Sequence, residues 1–385
     1  MAWQSVIGQG RVKSLLQRAI LEKRIAHAYC FWGAEGVGKD ALALEFAKTL
    51  NCERPLEDHH RTTITACGVC KSCTQAASLQ HPNIQLIFSL PAAKSDDKTD
   101  SALLKLSDEQ ISLVQEQLRL KAENPYHNIT LPHAAQIRIA SIRDVKKSIS
   151  MSASQRGRRV IIISEADAMT MEAANAFLKT LEEPHTNVTI ILTSSRREQL
   201  LPTILSRCQQ VRCDPLSDDD ITRALQERQA LPADEARLVA RLADGSYSKA
   251  CELIGEDLRQ LRFDVVDLLR IMLMPRGYIM KLTSAIEQAV GARDRNRIEY
   301  MLTLLLLWMR DAFALSVSDN ENTIINIDQV QDLKRFVQRF GSHEGLDEAT
   351  RAIEHSVELL RKNVNTTLLL ATLALNLRSA LLRRL

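Results

Sequence analysis

The chain has 385 residues, more than one compact unit holds and enough for two or three domains at roughly 150 residues each. Hydrophobic residues make up 45% and charged residues 25%, an ordinary globular composition that excludes a wholly disordered chain. Against 50 Lys+Arg stand 47 Asp+Glu, and the net charge of +3 is too small to draw the whole protein to nucleic acid or membrane. Any nucleic-acid contact must come from a local patch. The apolar stretch Met301–Met309 falls far short of the ~20 residues of a bilayer span, and the N-terminus lacks a signal-peptide apolar region. Three of the eight cysteines crowd into residues 67–73, a spacing that suits metal binding in a reducing cytosol. The expectation is a soluble cytoplasmic protein.

Nine of the ten prolines lie before residue 233, so the first half is punctuated by turns and the second reads as long helices. Four short, almost continuously apolar runs predict strands buried on both faces of a parallel sheet: Ala28–Trp32, Ile84–Phe88, Arg159–Ile163 and Val188–Leu192. Asp40–Leu50 and Met171–Glu182 read as crossover helices, which makes residues 1–213 an α/β domain. Residues 91–136 interrupt it as an inserted arm. The arm opens polar at Lys94–Asp100; Ser107 and Gln110 then stand at capping-box spacing, and Ile111, Val114 and Leu118 form one apolar stripe. Beyond residue 213 come short helices. Ser217 with Asp220 opens one, Ala233–Ala243 is the next, and Gly245 ends it. From residue 262 onward only helical periodicity remains, clearest over Arg297–Val317, Leu346–Arg361 and Asn363–Leu385.

Gly33-Ala-Glu-Gly-Val-Gly-Lys39 matches the phosphate-binding loop G-x-x-x-x-G-K between a strand and a helix. Gly33, Gly36 and Gly38 would let backbone N–H groups curl around phosphate oxygens, and Lys39 would reach the β/γ-phosphates. The next residue is Asp40, where a Ser or Thr hydroxyl normally holds Mg²⁺, and a carboxylate there is expected to repel phosphate. Ile161-Ile-Ile-Ser164-Glu165-Ala-Asp167 then ends its strand with Ser164, where an Asp should help position the metal. Glu165 remains where a water-polarising base would sit, and Asp167 reads as a helix cap. Two departures at metal-proximal positions predict poor or absent hydrolysis. ATP/Mg²⁺ binding is in doubt for the same reason.

Cys52, Cys67, Cys70 and Cys73 form C-x14-C-x2-C-x2-C, a donor set that suits one tetrahedral structural zinc with no open position. Buried or redox cysteines are the alternative. His59, His60 and His81 could substitute as ligands but read as surface residues; Cys30, Cys208, Cys213 and Cys251 read as packing residues. Arg138, Arg143, Lys146, Lys147, Arg156, Arg158 and Arg159 make a basic stretch broken by Asp144. It could track a DNA backbone or be a solvated helix face.

Several motifs together resemble bacterial clamp-loader AAA+ subunits of the DNA polymerase III holoenzyme. They are Val6-Ile-Gly-Gln9, Ile25–Tyr29, the phosphate loop, the zinc cysteines, Asn175–Pro184 and Leu201–Cys208 with its Ser206-Arg207-Cys208. The match covers residues 1 to about 250. It implies three parts: an AAA+ α/β P-loop domain (1–213, zinc module about 52–73), a helical lid (214–258), and an all-α collar for oligomerisation (262–385). It further implies that Arg207 is a finger entering a neighbour's ATP site and that Ser194 and Ser195 lie at a polar sensor. Ser248, beside Lys249, stands where catalytic members carry a phosphate-sensing Arg.

Ser164 and the shorter chain resemble the family's stationary, largely non-hydrolysing member; an ATP-hydrolysing gamma/tau-type subunit is the alternative. The implied partners are gamma/tau-type and delta-type subunits in a hetero-oligomeric ring, the sliding clamp and primer-template DNA, with no membrane. Arg143, Lys146 and Lys147 are the DNA-contact candidates, and the location is the cytoplasmic, nucleoid-associated replisome.

Overall fold

The computed structural model describes residues 3–91, 102, 106–150, 157–183, 185–254, 258–291, 295–318, 324, 326, 329–362 and 364–382. Lys94–Asp100, Arg156 and Pro184 therefore lie outside the described residues. The chain forms two compact units, residues 1–230 with 243–249, and residues 231–242 with 250–385.

The strands of the first unit are β1 (Ala28–Trp32), β2 (Leu56–Glu57), β3 (Ile64–Thr65), β4 (Ile84–Ile87), β5 (Arg159–Ile163), β6 (Val188–Ser194) and β7 (Gln209–Arg212). Five of them form a parallel sheet in the order β4-β5-β6-β1-β7, with Ile161 opposite Ile190 and Ile190 opposite Ala28. Every residue of β5 and β6 is buried, because crossover helices cover both faces of a parallel sheet. All four expected strands are present, but β4 lies at the sheet edge with only Ile87 buried, so it is not covered on both faces as expected. The fifth, β7, escaped the sequence because its residues are polar apart from Val211, which alone is buried. β2 and β3 pair antiparallel just before the cysteine turn.

The helix Lys39–Asn51 packs on the sheet through Leu42, Phe46 and small residues at 41, 43 and 47, and Phe46 meets Tyr29 edge-on at 5.4 Å. The helix Met171–Glu182 is capped by Thr170, whose hydroxyl accepts from Ala173 N. The inserted arm folds back onto the domain. Its capping box is complete, its helix runs Asp108–Glu123, and Ile111, Val114 and Leu118 pack with Leu86 and Phe88 at the end of β4. Farther on, Ser217 caps Asp218–Gln229 through Asp220 N.

The second unit is all helical, with its longest helices at Leu258–Met272, Tyr278–Gly291, Arg295–Val317, His343–Arg361 and Thr366–Leu382. Among the described residues one segment, Arg297–Val317, is long and apolar enough on average to cross a membrane, although its longest apolar stretch is short. It is 61% buried within the fold over its most apolar window, as the central helix of a core is.

Candidate nucleotide site and cysteine cluster

The loop Gly33–Gly38 leaves the carboxyl end of β1 and opens the helix Lys39–Asn51, the place where open α/β sheets bind ligands. Gly38 has φ +97°, and a Cβ on it would lie 2.7 Å from Tyr126 Oη; at Gly36 (φ +74°) a Cβ would strike Ser246 Oγ at 2.0 Å. Side chains of this chain thus occupy the close-approach space that glycines leave beside a ligand.

Lys39 is 7% exposed and turned into its own loop. Its ammonium donates to Gly33 O (2.9 Å), Ala34 O (2.6 Å) and Ser195 Oγ (3.0 Å), which uses all its donors. Burial lowers its pKa, against the pull of Asp40.

Asp40 corrects the expected repulsion. Its Oδ2 accepts from Lys121 Nζ and Ser164 Oγ, each at 2.7 Å, and its Oδ1 from Thr193 Oγ1 at 2.7 Å. Burial by itself would push the carboxyl up; Lys121 and the two hydroxyls bring it down to about 2. The carboxylate is neutralised inside the fold and presents no bare charge to phosphate. Lys121, 2% exposed, also donates to His127 O. Neither Lys121 nor Thr193 was singled out from the sequence, yet a signal existed: Lys121 continues the spacing of Ile111, Val114 and Leu118. A charge on a buried stripe requires a buried partner.

Tyr126 and Asn128 close the site from the same side. Tyr126 Oη accepts from Ile7 N (2.8 Å), its carbonyl accepts from Ser248 Oγ (2.6 Å), and its ring meets Tyr247 edge-on at 5.0 Å. Arg228 lies over both rings, and Asn128 Nδ2 donates to Glu35. The space left among Gly36, Lys39, Asp40, Lys121, Tyr126 and Glu165 is about 30 Å³. That admits a water or two, against the roughly 300–1,000 Å³ of a small-molecule site.

Glu165 lines this space with φ +49°; burial raises its carboxyl pKa, and Asp40, Glu35 and Asp167 add to the rise. Asp167 is no helix cap: its Oδ2 takes Arg196 Nε at 3.0 Å. Of the two sensor-position serines, Ser195 meets Lys39, while Ser194 is fully buried and accepts from Arg196 N. Ser248 bonds the arm's backbone.

Cys52, Cys67, Cys70 and Cys73 converge, with their sulfurs within 4.8 Å of one another. All four are free thiols, and Cys67 Sγ lies 3.9 Å from Cys73 Sγ. A Zn–S bond of ~2.3 Å puts tetrahedral sulfurs ~3.8 Å apart, so the cluster fits a metal site. Backbone N–H groups of Cys67, Cys70 and Cys73 point at the sulfurs of Cys52, Cys67 and Cys70, the outer contacts that orient thiolate ligands. His59 and His60 are exposed and outside the cluster. His81 is not a surface residue: it is 3% exposed, paired with Ser72 Oγ (2.9 Å) and Asn83 N (3.0 Å).

Arg207 follows the short helix Pro202–Leu205 and stays 36% exposed. It bonds Glu182 at 3.0 Å and Thr203 O at 2.9 Å. In the basic stretch, half-buried Arg158 is tied to Thr189 and Val188 O, and Arg159 is buried in β5. Arg143 and Lys147 are exposed and Lys146 half-buried on the helix Ile139–Ser150, whose Ile142, Val145 and Ile149 face the core.

Residues 8–217 match the family described as DNA polymerase III, delta subunit, and residues 283–379 match the C-terminal part of DNA polymerase III, delta subunit. The DNA polymerase III subunit delta' of Bacillus subtilis is 27% identical over 370 residues, 96% of this chain and 96% of that protein. The subunit delta' of Pseudomonas aeruginosa is 33% identical over 247 residues, 63% of this chain and 60% of that protein. The subunit tau of Bacillus subtilis is 26% identical over 259 residues, 66% of this chain and 37% of that protein.

Proposed function

The chain belongs to the DNA polymerase III, delta subunit family, and on that premise we propose that it is a delta'-type, essentially non-hydrolysing member of the clamp-loading ring. It sits beside gamma/tau-type and delta-type subunits in the cytoplasmic replisome and helps place the sliding clamp on primer-template DNA. Residues 1–213 form its AAA+ domain, 214–258 its lid and 262–385 its collar.

The observation that carries this reading is the Asp40 network. In hydrolysing P-loop enzymes the residue after the loop lysine and the acid ending a second strand of the sheet position Mg²⁺. Here those positions hold Asp40 and Ser164, bonded to each other at 2.7 Å, and Asp40 is also paired with Lys121. Lys39 is likewise spent on its own loop. Hydrolysis therefore lacks its metal-positioning groups, and each ~1.4 kcal/mol of lost barrier stabilisation is a factor of ten in rate.

Arg207 contributes in trans, its guanidinium leaving Glu182 for the γ-phosphate of an adjacent subunit's ATP. Its planar fork suits phosphate oxygens. Arg143, Lys146 and Lys147 supply the backbone contacts to DNA. Cys52, Cys67, Cys70 and Cys73 hold zinc, which when bound cross-links the turn and, with four thiolates, leaves no position for substrate. The test is ATP turnover by the purified chain alone, with Lys39→Ala as control, beside clamp loading by the reconstituted complex. The expected result is negligible turnover alone and clamp loading only when this chain is included. Turnover alone that Lys39→Ala abolishes would make it a gamma/tau-type ATPase instead.

A further inference from the structure

The insertion at 106–136 touches the phosphate-loop site at three separate points, and all three come from residues 121–128. Lys121 brings an ammonium to Asp40 (2.7 Å). Tyr126 places its hydroxyl in the space over Gly38. Asn128 binds Glu35, inside the loop itself, at 2.6 Å. Behind them, the helix Asp108–Glu123 is anchored by Ile111, Val114 and Leu118 on Leu86 and Phe88, so the three contacts are presented from a packed base.

We propose that this insertion is a built-in occupant of the nucleotide site, which it holds shut by standing in for both bound cation and ligand. The inference deepens the non-hydrolysing reading by naming what fills the site. Its chemistry is specific. The two positions that normally position Mg²⁺ are joined by the Asp40–Ser164 bond, and the positive charge beside them is the Lys121 ammonium. A bound nucleotide also bridges the phosphate loop to whatever packs over it. Here Tyr126 does so: its ring and carbonyl bind Tyr247 and Ser248, its hydroxyl binds Ile7 N, and the same hydroxyl covers Gly38. Arg228, stacked over Tyr126 and Tyr247, also donates to Gln4 O and Ser5 O, which closes the ring of contacts.

For a triphosphate to enter, Tyr126 must leave Gly38, Lys121 must leave Asp40, and Lys39 must release Gly33 O, Ala34 O and Ser195. The ligand's affinity is then reduced by the fraction of chains open to it. The subunit would hold one conformation whether or not ATP is present.

The experiment measures equilibrium binding of MgATP and MgADP to the full-length, metal-loaded chain, with hydrogen exchange over residues 108–128. The wild type should show no saturable binding up to about 1 mM and no change in exchange when nucleotide is added. The triple variant Asp40→Ser, Lys121→Met, Tyr126→Ala removes the occupant without orphaning a buried charge, and should bind MgADP at least ~100-fold more tightly than the wild-type limit. Should that variant fail to fold, Tyr126→Ala alone vacates the space over Gly38 and must show saturable MgADP binding. Saturable binding to the wild type overturns the inference, as does a folded open variant that still binds nothing. A wild type that binds ATP without turning it over sinks only this inference and leaves the proposed function standing; turnover abolished by Lys39→Ala removes both.

Discussion

Lys121 Nζ lies 2.7 Å from Asp40 Oδ2 in an ion pair that joins residues 81 positions apart, with the lysine 2% and the aspartate 18% exposed. The pair ties an inserted segment to the first turn of the helix after the phosphate loop. There the carboxylate also meets the positive end of the helix dipole.

The Asp40 pair makes stability depend on acid. Its folded pKa of about 2 lies below the ~3.9 of an unfolded Asp, so the unfolded chain takes up the proton first. The contribution, about 2 kcal/mol, is fully present above pH ~5 and is lost as pH falls through 4 towards 2. Denaturant unfolding of wild type and an Asp40→Asn, Lys121→Met double variant between pH 7 and 2.5 should show the wild type losing this increment and the variant lacking it. Parallel pH profiles for the two proteins would contradict the pairing.

Tyr126→Phe isolates one bond. It keeps the ring on Tyr247 but leaves the N–H of Ile7, a residue 6% exposed, without its acceptor. An unsatisfied buried N–H costs about 1–3 kcal/mol, so the melting midpoint should fall by several degrees. An unchanged midpoint would mean that water replaces the phenol.

Metal analysis should find one zinc per chain, absent from Cys70→Ser, Cys73→Ser. Because structural zinc contributes folding free energy directly, chelation should loosen residues 52–73, seen as faster hydrogen exchange there. A folded wild type with no metal would refute the site.

Arg207→Ala should leave fold and ring assembly intact while lowering ATP turnover by the assembled complex in the presence of clamp and DNA. Arginine fingers contribute roughly 10³–10⁵ in rate at the site they serve, so one site of the ring should fail rather than all. Arg207→Lys should rescue little, since an ammonium keeps the charge and loses the fork. Wild-type loading by Arg207→Ala, or failure of that variant to assemble, would leave Arg207 as a structural partner of Glu182, the pairing seen at 3.0 Å.

What the sequence determined by itself is whatever rests on neighbours in the chain. The four expected strands, the helix Met171–Glu182, the Ser107–Gln110 capping box and the cysteine turn depend on short spacings and local periodicity, and they stand where the residues place them. Asp40 and Ser164 were also legible as departures from a phosphate-loop enzyme, because each lies in a short contiguous run, Gly33–Asp40 and Ile161–Asp167. What Asp40 does instead was settled only by tertiary structure. Its partners Lys121, Ser164 and Thr193 lie 81, 124 and 153 positions away, and no local pattern encodes such a meeting. Likewise β7 became a strand only through pairing with β1, and His81 became interior only through Ser72 and Asn83. Packing decides these cases because a buried charge or polar atom must find its partner wherever the fold brings one within hydrogen-bond reach.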